Sequence, residues 1–161
     1  MRRRQKMRLE LVKDWMSRDV VTAVPTLGLL EAYSLLREHD IRRLPVVENG
    51  RLLGIVTSGD IREAKPSSAT SLSAWELNYL LANLTVSEVM SQPAQTISPE
   101  ATIGEAADIM LGRKISGLPV VDSSGELVGI ITESDIFRMV VHNWRQSQED
   151  SAKPYTHYEG D

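Results

Sequence analysis

Leu44-Pro45-Val46-Val47, followed by Gly54-Ile55-Val56-Thr57-Ser58-Gly59-Asp60, returns in this chain as Leu118-Pro119-Val120-Val121 followed by Gly129-Ile130-Ile131-Thr132-Glu133-Ser134-Asp135. The likeness extends well beyond these segments. A shift of 74 residues pairs Val12, Met16, Ser17, Thr22, Pro25, Glu31, Ala32, Ile41, Leu44, Pro45, Val46 and Val47 with identical residues between Val86 and Val121. One extra residue in the next turn changes the shift to 75, and Gly50, Leu52, Gly54, Ile55, Thr57, Asp60 and Ile61 then find their match between Gly125 and Ile136. Chance would supply roughly 3 identities over such a length, at ~5–7% frequency per common residue type. The chain is an internal duplication.

Each copy reads as the same string of elements. A short amphipathic segment (Val12–Met16, Val86–Met90) precedes a brief strand at Val20–Val24 or Gln95–Ser98. A helix follows, with Leu29, Ala32, Leu35 and Leu36, or Ile103, Ala106, Ile109 and Met110, at helical spacing on its buried face. In the second copy Ser98-Pro99-Glu100 is expected to start that helix as N-cap, first-turn proline and acid, whereas the first copy offers only Pro25-Thr26. Two short apolar runs come next, Leu44–Val47 with Leu52–Val56 and Leu118–Val121 with Leu127–Ile131. Glu48-Asn49-Gly50 and Asp122-Ser123-Ser124-Gly125 join them, and Asn and Gly tolerate the positive φ of hairpin turns. A closing helix begins after Thr57 or Thr132. The reading is α/β (α+β), two βαββα repeats packed by pseudo-two-fold symmetry, because a lone unit leaves a sheet face and edges open that a second copy can cover. Such a pairing forms two equivalent clefts between the copies, a favoured place for small ligands.

Residues 9–64 form repeat 1, 65–85 a linker with an extra helix at Ala74–Leu84, 86–145 repeat 2, and 146–161 a flexible C-terminal tail. Trp75, Leu77, Leu80, Leu81 and Leu84 of the linker helix are expected in core or dimer contacts. Met90, Met110 and Met139 fall at apolar-periodic positions and read as core fillers.

Composition narrows the functional classes. With 161 residues, 42% apolar content and a net charge of −4, the chain can fold and has no broad polyanion-binding face. No window approaches the ~20 apolar residues of a membrane span. There is no cysteine for disulfides, thiol catalysis or thiolate metal sites. His39, His142 and His157 share no metal-binding spacing, and neither Ser58 nor Ser134 sits in a nucleophile motif. A cytoplasmic, non-enzymatic protein that needs no cofactor, spans no membrane and does not bind nucleic acid is the expectation.

In each copy a hydroxyl ends the second hairpin strand and an acid follows three residues later: Thr57 with Asp60, and Thr132 with Asp135. One explanation is a capping box at the start of the closing helix. A site is the other, since the pattern recurs beside Ile55 and Ile130. Taken with Ile41-Arg42-Arg43-Leu44-Pro45-Val46-Val47 and Ile115-Ser116-Gly117-Leu118-Pro119-Val120-Val121, it resembles the CBS (cystathionine β-synthase-type) domain. Tandem pairs of this domain are known as Bateman modules, and the chain looks like the stand-alone bacterial type similar to acetoin-utilisation regulators. The resemblance covers about residues 12–64 and 86–140.

The resemblance implies an adenosine-containing ligand: AMP, ADP, ATP or S-adenosylmethionine. Asp60 and Asp135 would hold the ribose hydroxyls, which suits a carboxylate offering two oxygens to a cis-diol. Thr57 and Thr132 would face phosphate or ribose oxygens. Ile55 and Ile130 would pack on adenine, whose edge the backbone of Ile41–Arg43 and of Ile115, Ser116 and Gly117 would read. Thr22 and Thr96 would line the same clefts. The copies differ at Arg42-Arg43 against Ser116-Gly117, so phosphate is expected toward Arg42 and Arg43, the alternative being a solvated strand entrance. A guanidinium–phosphate hydrogen bond contributes about 1.5–3 kcal/mol, so two can separate a nucleotide from its nucleoside.

The functional expectation is a regulatory sensor, a homodimer, that signals to an unidentified protein effector by a ligand-dependent population shift. Its rivals are a ligand-independent protein-interaction or dimerisation scaffold, nucleic-acid binding through Arg2, Arg3, Arg4, Lys6 and Arg8, and an enzyme acting on the nucleotide.

Overall fold

The computed structural model describes residues 10–65 and 71–152. The basic residues from Arg2 to Arg8, most of the Ser/Pro-rich linker and His157 lie outside them. In chain order the elements are α1 (Val12–Trp15), α2 (Leu29–Glu38), β1 (Arg43–Glu48), β2 (Arg51–Thr57), α3 (Ser58–Glu63), α4 (Ala74–Asn83), α5 (Val86–Val89), α6 (Ile103–Arg113), β3 (Gly117–Val121), β4 (Leu127–Thr132) and α7 (Glu133–Ala152).

Each copy is built on an antiparallel hairpin, β1 with β2 and β3 with β4, and both carry a register shift at the second valine of the Leu-Pro-Val-Val run. Asn49 (φ 51°) and Gly50 (φ 81°) make the tight turn of the first hairpin. In the second, Asp122 Oδ1 accepts from Ser124 Oγ and from the Ser124 and Glu126 amides, and these bonds hold its carboxyl below the usual range.

The strands expected at Val20–Val24 and Gln95–Ser98 shrink to single parallel bridges, Ala23 to Val46 and Ile97 to Val120. Ala23 donates to the Pro45 carbonyl and accepts from Val47; Ile97 does the same with Pro119 and Val121. The next rung of a parallel ladder would need an amide hydrogen at Pro25 or Pro99, and proline has none.

The expected helix start at Ser98 is also corrected. Helix α6 begins at Ile103, with Thr102 as N-cap in a capping box with Glu105, while Ser98, Pro99 and Glu100 form a turn before it. Thr102 itself is extended because Leu11 pairs with it and Ile103 donates to the Glu10 carbonyl. In copy one the cap is Gly28, and the Leu84 carbonyl accepts the first amide of α2.

These contacts reveal an exchange of arms. Val12 and Met16, at the start of copy one, belong to the core of copy two with Ile103, Met110, Leu118 and Ile131. Val86, at the start of copy two, belongs to the core of copy one with Leu29, Leu44, Val56 and Ile61, and Met90 packs against it. Each arm also pairs with the hairpin of the other copy, Ser17 with Ile130 and Ser91 with Ile55. The glycines of the repeated motif make room: a Cβ at Gly54 would lie 2.7 Å from the Ser91 carbonyl oxygen, and one at Gly129 would lie 2.9 Å from that of Ser17.

The closing helices differ in length. Helix α3 stops at Glu63, shortly before Pro66, and the residue ahead of a proline is disfavoured in helix. Helix α7 runs to Ala152, past the expected start of a flexible tail at 146, through residues such as Arg145, Gln146, Gln148 and Glu149 that favour helix intrinsically. Of the linker-helix residues, Leu81 is buried and Leu77 and Leu84 pack on the first core, whereas Trp75 and Leu80 are exposed. No helix among the described residues is long and apolar enough to cross a membrane.

Candidate functional site

Two clefts lie between the copies. One, of about 650 Å³, joins Ile55, Thr57 and Asp60 of copy one to Ile115, Ser116 and Gly117 of copy two. The other, of about 540 Å³, joins Ile130, Thr132 and Asp135 to Ile41. Arg42, Arg43 and Ser116 line both. The structure therefore brings together the residues singled out in the sequence, with one exception. Thr22 and Thr96 are not among the lining residues of either cleft. Val20 and Val21 line one, and their equivalents Ala94 and Gln95 line the other, because the chain turns into its bridge at Ala23 and Ile97 directly after the threonines.

The Thr and Asp of each motif are locked together. In the larger cleft the Thr57 amide and hydroxyl both donate to Asp60 Oδ2 at 2.7 Å, and the Asp60 amide returns a bond to Thr57 Oγ1 at 3.2 Å, a complete capping box. Among the described residues no group donates to Asp60 Oδ1. The smaller cleft repeats the first two bonds, Thr132 to Asp135 Oδ2 at 2.8 and 2.9 Å. There Arg138 Nη1 adds an ion pair to Asp135 Oδ1 at 2.8 Å. The cap thus uses one oxygen of Asp60 and orients the other. The first amides of the closing helices donate to the facing segment of the same copy, Ser58 to the Arg42 carbonyl and Glu133 to that of Ser116.

Arg43 sits at the boundary between the clefts. Its Nη2 donates to Ser116 Oγ, and its guanidinium occupies the space that a Cβ at Gly117 would need. Burial lowers its pKa, Glu133 opposes that shift, and Arg42 reinforces it; an arginine nevertheless stays charged at neutral pH.

Three charged residues of consequence escaped the sequence reading. Arg113 and Lys114, at the end of α6, line the Asp60 cleft, and Arg138 pairs with Asp135. For Lys114 and Arg138 the signal lies in the alignment of the copies. Shifted by 74, Lys114 falls opposite Asp40, and shifted by 75, Arg138 falls opposite Glu63. Asp40 (φ 50°) and Lys114 (φ 55°) even share the left-handed conformation. Among the described residues no cluster of potential ligands suits a metal ion.

Two hairpin-based halves exchanging arms around paired clefts define a tandem two-copy fold, and comparison with known proteins gives its family. The CBS domain family model matches residues 12–67 and 86–142, and the chain belongs to that family as a pair of CBS domains. It is similar in structure to a candidate acetoin utilization protein (AcuB) from Vibrio cholerae, with 34% identity, 88% of this chain and 98% of that one covered, and a TM-score of 0.73. The CBS domain pair of protein MJ0100, in complex with 5′-methylthioadenosine and S-adenosyl-L-methionine, is 33% identical, with 84% and 99% covered and a TM-score of 0.69. CBSX2 from Arabidopsis thaliana in complex with AMP is 25% identical, with 84% and 99% covered and a TM-score of 0.72. Among curated sequences, an inosine-5′-monophosphate dehydrogenase from Korarchaeum cryptofilum is 38% identical over 133 residues, which are 83% of this chain and 25% of that protein. The chain spans less than half the length of this and two other curated relatives.

Proposed function

We propose that this protein is a regulatory sensor that binds a phosphorylated adenosine ligand in the cleft of Asp60 and signals by a change in how its two copies sit against each other. The observation that carries this reading is one cleft containing a carboxylate with a free oxygen, apolar Ile55 and Ile115, and the guanidiniums of Arg42 and Arg43. Asp60 would take the ribose hydroxyls and the arginines the phosphate. The adenosine ligands of the MJ0100 pair and of CBSX2 support the ligand class. A ligand touching both copies favours whichever arrangement it fits better, and that differential affinity is all the signal requires. Nothing in this reading calls for catalysis or a cofactor. It places the protein in the cytoplasm, and fractionation of cells would test this.

The ligand is tested by thermal shift with AMP, ADP, ATP and S-adenosylmethionine, followed by calorimetry. Stabilisation is expected with at least one of the three nucleotides, and Asp60→Ala should weaken its binding ~10-fold or more, since a charge-assisted contact pair is lost. No stabilisation at millimolar concentration would favour the scaffold reading instead.

A homodimer belongs to the same proposal. Phe137, Val140, Val141 and Trp144 are exposed along one stripe of α7 at the spacing of a buried helix face. Sedimentation should show a dimer that Val140→Glu with Trp144→Glu converts to monomer. A wild-type monomer at micromolar concentration would refute it.

A further inference from the structure

Resting on the adenosine reading above, we infer that the two clefts are unequal by construction: the cleft of Asp60 is the single nucleotide site, and Arg138 closes the cleft of Asp135 by acting as its internal substitute for the ligand. A cis-diol needs carboxylate oxygens that are not already committed. Asp135 is 3% exposed, its Oδ2 is held by the Thr132 amide and hydroxyl, and its Oδ1 by Arg138. A ribose entering there must displace a charged hydrogen bond, and such bonds are about twice as strong as neutral ones. At Asp60 no described side chain needs displacing from Oδ1, because the residue in the place of Arg138 is Glu63, which cannot pair with a carboxylate.

The charges around the clefts point the same way. Three acids line the cleft of Asp135 besides that residue: Asp19, Asp40 and Glu133. Their equivalents in the other cleft are Pro93, Lys114 and Ser58. Four basic side chains and one acid line the Asp60 cleft, against three basic and four acidic around Asp135. A phosphate dianion is drawn to the first and repelled from the second. Arg113 and Lys114 thereby join Arg42 and Arg43 as the phosphate-facing wall.

Calorimetry on the full chain tests this. Wild type should bind one AMP per chain, and Asp60→Asn, which retains the shape of the cap, should weaken that binding at least tenfold. Arg138 is largely exposed, so Arg138→Ala should fold normally. With adenosine, which lacks the repelled phosphate, this variant should bind two molecules per chain where wild type binds one. Two AMP per wild-type chain, full AMP affinity in Asp60→Asn, or a single adenosine in Arg138→Ala would each overturn the inference while leaving adenosine recognition intact. No binding of AMP or adenosine to wild type or to Arg138→Ala would overturn both.

Discussion

The two copies of this protein agree where chains must pack and disagree where a ligand would meet them. Gly54 and Gly129 admit the arm of the other copy in the same way, and Leu44-Pro45-Val46 and Leu118-Pro119-Val120 are buried alike. Around the clefts, in contrast, Asp40 lines one and Lys114 the other, and Glu63 holds the sequence position in copy one that Arg138 holds in copy two. Duplication supplies two clefts of one shape, and side chains that no core depends on can then set them apart electrostatically. Core positions lack this freedom, because a change of even one methylene in a packed interior is felt.

The sharpest attack on the shared part of this comparison is to fill the glycines. Gly54→Ala would put a methyl 2.7 Å from the Ser91 carbonyl oxygen and 2.8 Å from Met90 Sδ; Gly129→Ala would put one 2.6 Å from Met16 Sδ and 2.9 Å from the Ser17 carbonyl. The methionines can swing aside, but the carbonyls belong to paired backbone, Ile55 with Ser91 and Ser17 with Ile130. Each substitution should cost about 1–3 kcal/mol, the usual toll of overpacking, as read by urea unfolding. The two losses should be similar. A large loss at one glycine and none at the other would show that the arms are not equivalent.

A second substitution separates cleft from scaffold. Gly117→Ala would place its Cβ against the Arg43 guanidinium, with Cζ at 3.0 Å and Thr132 Cγ2 at 3.1 Å. Here the obstacle is the end of a flexible side chain, so Arg43 should move while the backbone stays. Stability should change by no more than about 1 kcal/mol. AMP affinity should fall about tenfold, or 1.4 kcal/mol, and adenosine affinity much less. Equal losses for AMP and adenosine would remove Arg43 from phosphate recognition.

How much of this was legible in the sequence depends on whether a residue acts through near neighbours or through the other copy. The hairpins, the helix faces and the Thr57–Asp60 and Thr132–Asp135 pairs are local, and periodicity and turn chemistry reveal them. The exchange of arms is not local: Val12 stands at the start of copy one and nothing in its own segment says that it joins the core of Ile103 in copy two. The strands at Val20–Val24 and Gln95–Ser98 were over-read for a related reason, since Pro25 and Pro99 break the ladder only once their parallel partner is known. The helix of copy two was started too early at Ser98 because a good cap, Thr102 with Glu105, was available four residues on and the Leu11 pairing favours it. Arg113, Lys114 and Arg138 were readable in principle. Aligning the copies sets Lys114 against Asp40, Arg138 against Glu63 and Arg113 against His39, but only the placement of α6 and α7 shows that these side chains line a cleft.

The most delicate test exchanges one charge between the clefts. Lys114→Asp gives the Asp60 cleft the residue that its counterpart carries at Asp40. Both positions have positive φ, and Asp accepts the left-handed conformation more readily than most residues. Lys114 is exposed, so no core contact is lost and the fold should be unaffected. Reversing a charge near a phosphate in solvent-screened surroundings is worth roughly 1 kcal/mol, so AMP affinity should fall about fivefold. Adenosine, with no phosphate, should bind as before. Raising the salt concentration should shrink the difference between wild type and variant, because screening weakens the attraction in one and the repulsion in the other. An AMP affinity untouched by the exchange at low salt would mean that the phosphate lies away from the end of α6, and the electrostatic contrast between the clefts would then rest on the acids around Asp135, Asp19, Asp40 and Glu133, since Arg42 and Arg43 line both.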